Sequence, residues 1–189
     1  MTEKRERCGS PFKLRPYAST GNCQGLILGG LVCRFPGTLC IEYQLEGDLL
    51  PVVFPAASPV ISRRHELWRQ TCFELFFGVP GDPQYWEVNF APDGCWNLYH
   101  FTGYRQGMSE EAAAAKPTCN TVRECQKFSL FCRIDIHKLV PDNAPLEVGI
   151  AGVVLDASGI TAYWAIDHCE AAPNFHSRSS FLMHLPGVA

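Results

Sequence analysis

Apolar and polar residues alternate with a period of two along most of this chain, and two runs show the pattern most clearly. In residues 72–79, Phe73, Leu75 and Phe77 alternate with Cys72, Glu74 and Phe76; in residues 85–91, Trp86, Val88 and Phe90 alternate with Tyr85, Glu87 and Asn89. Successive side chains of a strand point to opposite faces, so each run has one apolar face and one that carries carboxylate or amide. Gly81-Asp82-Pro83 between them reads as a hairpin turn. If the two strands pair, parity puts Glu74, Glu87 and Asn89 on the same face. Two registers preserve that face, with Glu74 opposite either Glu87 or Asn89. Like charges directly opposite cost about 0.2–1 kcal/mol, which favours Glu74 opposite Asn89 with Glu87 on the diagonal.

The same period recurs on both sides of this hairpin. Short strands are expected over 12–14, 25–35, Thr38–Glu46 and 49–54, with Pro36-Gly37 as a turn and 55–59 as a proline-spaced loop. Trp96–Phe101 follows the Pro92-Asp93-Gly94 turn. Beyond it, 122–126, 127–136, 145–155 and 159–167 are strand-like, and 181–185 reads as a returning edge strand. One segment reads as helix: Ser109 as cap, Glu110 and Glu111 at the positive end, four alanines, then Lys116 and Pro117. Gly29-Gly30, inside a strand run, reads as a bulge. About ten short strands at even spacing and one short inserted helix make an all-β chain, an antiparallel β-sandwich. Residues 1–11 are expected to be a flexible lead-in and 12–189 a single domain.

Composition narrows the function classes. Sixteen Lys+Arg against nineteen Asp+Glu give a net charge of −3 over 189 residues, without the basic surplus that nucleic-acid binding calls for. No apolar run is long enough for a spanning helix or a signal-peptide core, so a cytoplasmic protein with no membrane partner is expected, acting as a monomer. Ten cysteines in a reducing compartment are expected to be buried or idle thiols. None forms a C-x-x-C pair of the kind structural zinc sites use, and no metal or other cofactor is called for. His65-Glu66 begins like a zinc-protease helix, but Arg69 stands where the second histidine belongs. Nucleophile-elbow, P-loop and dinucleotide-binding patterns do not occur.

What the pattern does offer is a polar binding site around the central hairpin. Arg64 and Trp68 precede it, Arg105 follows it, and Glu74, Glu87 and Asn89 stand on its polar face. The bland alternatives stay open. Glu74 can pair with Arg64, Arg69 or Arg105 as a structural ion pair, Glu87 can be structural, and the polar face can be the solvated side of a sandwich. Trp86 and Trp96 fall on apolar faces and read as core.

Leu67-Trp68-Arg69-Gln70-Thr71-Cys72-Phe73-Glu74-Leu75-Phe76, Tyr85-Trp86-Glu87-Val88-Asn89-Phe90-Ala91-Pro92-Asp93-Gly94-Cys95-Trp96, Tyr163-Trp164-Ala165-Ile166-Asp167-His168 and Pro173-Asn174-Phe175-His176 together resemble the DOMON-like β-sandwich domains. These look related to family 9 carbohydrate-binding modules. The resemblance spans roughly 12–185. It implies a non-catalytic module that recognises a saccharide or sugar-containing small molecule. Trp68 and Trp164 would clamp the sugar, with Glu74, Asn89 and Arg64 or Arg105 on its hydroxyls. Thr71 departs from the pattern, since many relatives carry Asp there. Other members of the superfamily bind haem through axial Met and His, and here Met108, His168 and His176 (or Met183 in the terminal run) are the possible ligands. A third reading, from the residues alone, takes Glu74 and Glu87 as the carboxylate pair of a glycosidase.

Overall fold

A computed structural model describes residues 9–17, 24–56, 58 and 60–189. Their period-two runs become thirteen strands. These are β1 (Ser10–Lys13), β2 (Arg15–Pro16), β3 (Ile27–Phe35), β4 (Thr38–Glu46), β5 (Cys72–Gly78), β6 (Tyr85–Phe90) and β7 (Trp96–Phe101), followed by β8 (Ser109–Glu110), β9 (Thr118–Arg123), β10 (Lys127–Asp135), β11 (Leu146–Leu155), β12 (Thr161–Ala165) and β13 (Met183–Leu185). They form two antiparallel sheets. The smaller runs β1-β3-β4-β10-β9; the larger runs β2-β12-β11-β5-β6-β7-β8, with β13 sharing the β12 edge of β11. The chain is therefore a β-sandwich, as its periodicity predicts.

The core lies between the sheets and is built from the alternating apolar sets. Phe73, Leu75, Phe77, Trp86, Val88, Phe90, Trp96 and Leu98 of the larger sheet meet Leu39, Ile41, Tyr43, Leu45, Phe128, Leu130 and Ile134 of the smaller one. Phe73 stacks on Phe128 at 5.6 Å, and the Tyr43 hydroxyl crosses the core to donate to the Glu74 carbonyl at 2.8 Å. That bond satisfies a polar tip that burial would otherwise penalise.

Several expectations are corrected. Residues 109–116 form no helix: Ser109–Glu110 is edge strand β8 against Tyr99 and His100, and the alanines continue as turn and loop. The strand expected at 49–54 contributes one isolated bridge, Val52 to Asp156. Gly29 and Gly30 sit in unbroken register with Gln44 and Tyr43, so there is no bulge. They serve close approach instead, because a Cβ on Gly30 would collide with the Glu42 carbonyl and the Phe12 ring. Of the expected lead-in, residues 1–8 lie outside the described residues, while Ser10 and Pro11 already belong to β1. Cys119 and Cys132 are directly opposed between β9 and β10 and form a disulfide rather than idle thiols.

A pocket on the outer face of the larger sheet

The predicted register holds: Glu74 is opposite Asn89, and Glu87 is displaced along β6 to sit opposite Phe76. Two rows cross the outer face of the larger sheet. One reads Ala165, Ala151, Glu74, Asn89, Asn97; the next reads Gly149, Phe76, Glu87, Tyr99, Glu110. This face is not a solvated side. Phe76, Tyr85, Tyr99, Phe101, Ala151 and Phe181 form a second apolar cluster on it, and loops cover the cluster. Glu74, Glu87 and Asn89 are thereby buried.

Three loops build the walls. The loop before β5 is pinned by the Arg63–Trp96 bridge and by the Arg63 guanidinium, which lies over the Trp96 ring and donates to the Glu111 and Ala114 carbonyls. It ends in a 3₁₀ turn, Leu67–Arg69, that sets Trp68 edge-on to Tyr99 at 5.9 Å. The loop after β7 brings Arg105. The long loop after β12 brings Pro173, Phe175 and His176. Arg178 clamps that last loop down, bonding the Glu147 carboxylate at 2.7 Å and the Gln84 and Val79 carbonyls. Phe181 fills the place a side chain on Gly149 would occupy. Among the described residues only Glu66 and Arg105 hold a left-handed backbone without being glycine. Both stand in site-building loops, where such strain tends to be kept.

Between these walls lies a cavity of about 400 Å³. Its floor carries Glu74 and Glu87 beside Val153 and Phe101. Trp68, Tyr163, Phe175 and Pro173 flank it, and Arg105, Met108 and His176 complete the lining. Of the expected binding residues, Trp68, Glu74, Glu87 and Arg105 therefore share one cavity. Asn89 stands just behind it, donating from Nδ2 to Glu87 Oε1 at 2.7 Å. Arg64 does not line it and pairs instead with Asp93 at 3.5 Å. Trp164 is a correction: it points into the inter-sheet core, and Tyr163, on the opposite face of β12, is the aromatic that reaches the cavity. Thr71 is fully buried and bonds the Val53 carbonyl and the Leu155 amide, a structural role. No arginine pairs with either glutamate within ion-pair distance among the described residues. The salt-bridge alternative for Glu74 thus fails.

Hydrogen bonding treats the two glutamates differently. Besides Asn89, Glu87 has His176 Nε2 at 3.8 Å from Oε2. Tyr85 Oη accepts from the Arg105 amide at 3.3 Å and lies 2.9 Å from His176 Nδ1. A consistent relay has Tyr85 donating to Nδ1, which leaves the proton on Nε2, facing Glu87. Glu74 has no such support: no donor reaches its carboxylate among the described residues. Burial raises the pKa of both acids. Glu74 is pushed well up by desolvation and by the neighbouring Glu87 charge. Glu87 rises to about 7, because desolvation outweighs the Asn89 bond and the Arg105 charge. His176, desolvated and near Arg105, falls to about 4 and is neutral at pH 7.

The haem candidates separate. Met108 and His176 line the cavity, but both ring nitrogens of His176 already face partners. His168 packs edge-on to Tyr17 and bonds the Arg15 carbonyl, away from the cavity lining. A His168/His176 pair does not face a common cavity. Pro173, Phe175, Tyr163 and Val153 were not singled out as site residues from the sequence. Only the parity of β12, opposite to the one expected, could have pointed to Tyr163.

No family model matches the chain, and no curated protein does. Solved structures that share its fold include the following three. One is a candidate carbohydrate-binding protein from Bacteroides uniformis, with a TM-score of 0.59, 11% identity, and 89% of this chain and 84% of that one covered. The other two are a family 9 carbohydrate-binding module from Caldicellulosiruptor kristjanssonii. In complex with cellotriose it gives a TM-score of 0.54 and 12% identity, over 87% of this chain and 75% of that one. In complex with glucose it gives 0.52 and 11%, over 86% and 76%.

Proposed function

We propose that the chain is a non-catalytic module that binds a saccharide or sugar-containing small molecule in the outer-face cavity. The observation that carries this reading is the juxtaposition of ring faces with the Glu74 carboxyl, which no donor reaches among the described residues. Trp68, Tyr163 and Phe175 can cover the CH face of a pyranose, while Glu74, Glu87 and Arg105 meet its hydroxyls from below and from the rim. A volume of about 400 Å³ is at the small end for ligand sites and suits one or two sugar units better than a long glycan lying flat. Fold neighbours that include a module solved in complex with cellotriose and with glucose support the reading. Calorimetric titration with glucose, cellobiose and a panel of other mono- and disaccharides tests it. Binding should weaken several-fold in Trp68→Ala and in Tyr163→Ala, each ring contact being worth about 0.5–1.5 kcal/mol. Silence toward the whole panel, or affinity unchanged in both variants, would sink the reading.

A second reading, glycoside hydrolysis, is favoured by one specific observation. Glu74 and Glu87 stand together in a cavity, both with raised pKa values and only Glu87 with a hydrogen-bond donor, an asymmetry of the kind that assigns an acid and a base. Diagonal sheet neighbours lie about 7–8 Å apart, which is compatible with the carboxyl separations of glycosidases. Turnover of aryl glycosides that disappears in Glu74→Gln and in Glu87→Gln would establish this reading in place of the first. Tight binding without turnover would dismiss it.

A further inference from the structure

The two floor carboxylates are compensated unequally. Glu87 receives Asn89 Nδ2 at 2.7 Å, faces His176 Nε2 at 3.8 Å, and feels the Arg105 charge. Glu74 is 3% exposed, lines the cavity, and has neither a donor nor a cation on its carboxylate among the described residues. The titratable groups facing the cavity are then two carboxyls that burial shifts toward their neutral form, one guanidinium and the neutral His176. Arg105 itself is turned toward the rim, where Nη2 bonds Asn174 Oδ1 at 3.3 Å. A neutral polyol offers no counter-charge, so burial goes on favouring the protonated acid over a bare Glu74 charge. A cation would cancel it, and the ring faces of Trp68, Tyr163 and Phe175 favour a cation as well.

We propose that the ligand carries an ammonium group, as an amino sugar does, and that Glu74 is the partner of that group. The sugar half of this proposal rests on the saccharide-binding reading; the ammonium half rests on Glu74 alone. The proton balance has a definite sign. In the empty site burial and the neighbouring Glu87 charge shift Glu74 toward its protonated form. An incoming ammonium stabilises the carboxylate, so Glu74 gives up its proton to solvent, and the ammonium keeps its own. Binding an amine should therefore release protons to the buffer, and binding a neutral sugar should release fewer.

The test is isothermal titration of the purified chain at pH 7 with glucosamine, glucose, N-acetylglucosamine and cyclohexylammonium. Each titration is repeated in two buffers of different ionisation enthalpy, so that released protons are counted. Glucosamine should bind about tenfold or more tighter than glucose, with more proton release than glucose gives. N-acetylglucosamine, whose amine is capped and uncharged, should lose that advantage. Glu74→Gln, which copies the protonated acid in shape, should bind glucosamine no better than glucose. Equal affinities for glucose and glucosamine, or an advantage that survives in Glu74→Gln, overturn the ammonium proposal and leave saccharide binding standing. Cyclohexylammonium binding that depends on Glu74, with no response to any sugar, overturns the saccharide reading and keeps the ammonium one. Silence toward all four probes overturns both. The proton count is made on the unmodified chain, so the proposal is decided even if Glu74→Gln fails to fold.

Discussion

Glu74, Glu87 and His176 are each held in the less charged form by burial, and their opposed signs make a pH experiment informative. The acids have folded pKa values above their unfolded ones. Their contribution to stability is fully present below about pH 4.5 and is lost as the pH rises, for Glu87 up to about 7. His176 is lowered from 6.5 to about 4. Its contribution is present above 6.5 and is lost as the pH falls through that window. The slopes oppose each other between about pH 4.5 and 6.5, where one histidine offsets one of the two acids, so the unmodified chain should lose stability with rising pH less steeply than a chain without His176. The Glu74→Gln/Glu87→Gln double variant keeps only the histidine slope, and its stability should climb with pH from about 4 to 6.5. His176→Gln keeps only the acids, and its stability should fall over the same range by up to a few kcal/mol. Urea denaturation at half-unit pH steps measures all three. Parallel profiles in the two variants would mean that these groups do not titrate as their burial implies.

Strand β12 carries the sharpest contrast between neighbours. Trp164 is 3% exposed and packs between the sheets; Tyr163 is 37% exposed and lines the cavity. Trp164→Ala should cost about 3–5 kcal/mol of stability as a large-to-small core change, whereas Tyr163→Ala should cost little stability and act on binding. A denaturant midpoint beside an affinity for each variant checks the pair, and the idea fails if Tyr163→Ala proves the more destabilising. The sequence left β12 ambiguous because both neighbours are aromatic, so its pattern does not say which faces in. Where only one parity is apolar, as in β5 and β6, the faces and even the Glu74–Asn89 register are legible, because one register spares the opposed charges. The helix misread at 109–116 has the opposite cause. Caps and alanines give a real local preference, but tertiary contacts override it: β8 pairs with β7, and the Trp86 indole donates to the Glu111 carboxylate at 3.1 Å. Phe175, Pro173 and His176 reach the cavity through long-range ties of their loop: Arg178 bonds carbonyls more than ninety residues earlier in the chain, and His176 meets Tyr85. Local periodicity has no access to such a contact.

The whole molecule separates its stabilising and binding parts by sheet. The cavity opens on the outer face of the larger sheet, whereas the Cys119–Cys132 disulfide joins the edge strand β9 to β10 in the smaller one. Strand β9 is mostly exposed and, among the described residues, pairs with β10 alone, so the bond secures an edge whose apolar burial is slight. Its sequence separation of 13 closes a short loop, for which the chain-entropy argument gives about 3 kcal/mol. Disulfides persist where the surroundings are oxidising, which sets this bond against the cytoplasmic placement expected from the sequence. Reduction, or the Cys119→Ala/Cys132→Ala double variant, should lower global stability by up to that amount and speed amide exchange in β9 first. Affinity at the cavity should stay the same, because the disulfide lies on the smaller-sheet side of the core, where Cys132 is itself buried, and the larger sheet stands between it and the pocket. Thermal denaturation with and without a phosphine reductant, paired with titration of whichever saccharide binds, measures both quantities on one sample. Loss of binding at a temperature where the reduced chain is still folded would show that the two sheets are coupled more tightly than their packing implies. Unchanged binding with a lowered melting temperature would leave the chain able to work in either compartment, with the disulfide setting only how much heat it survives.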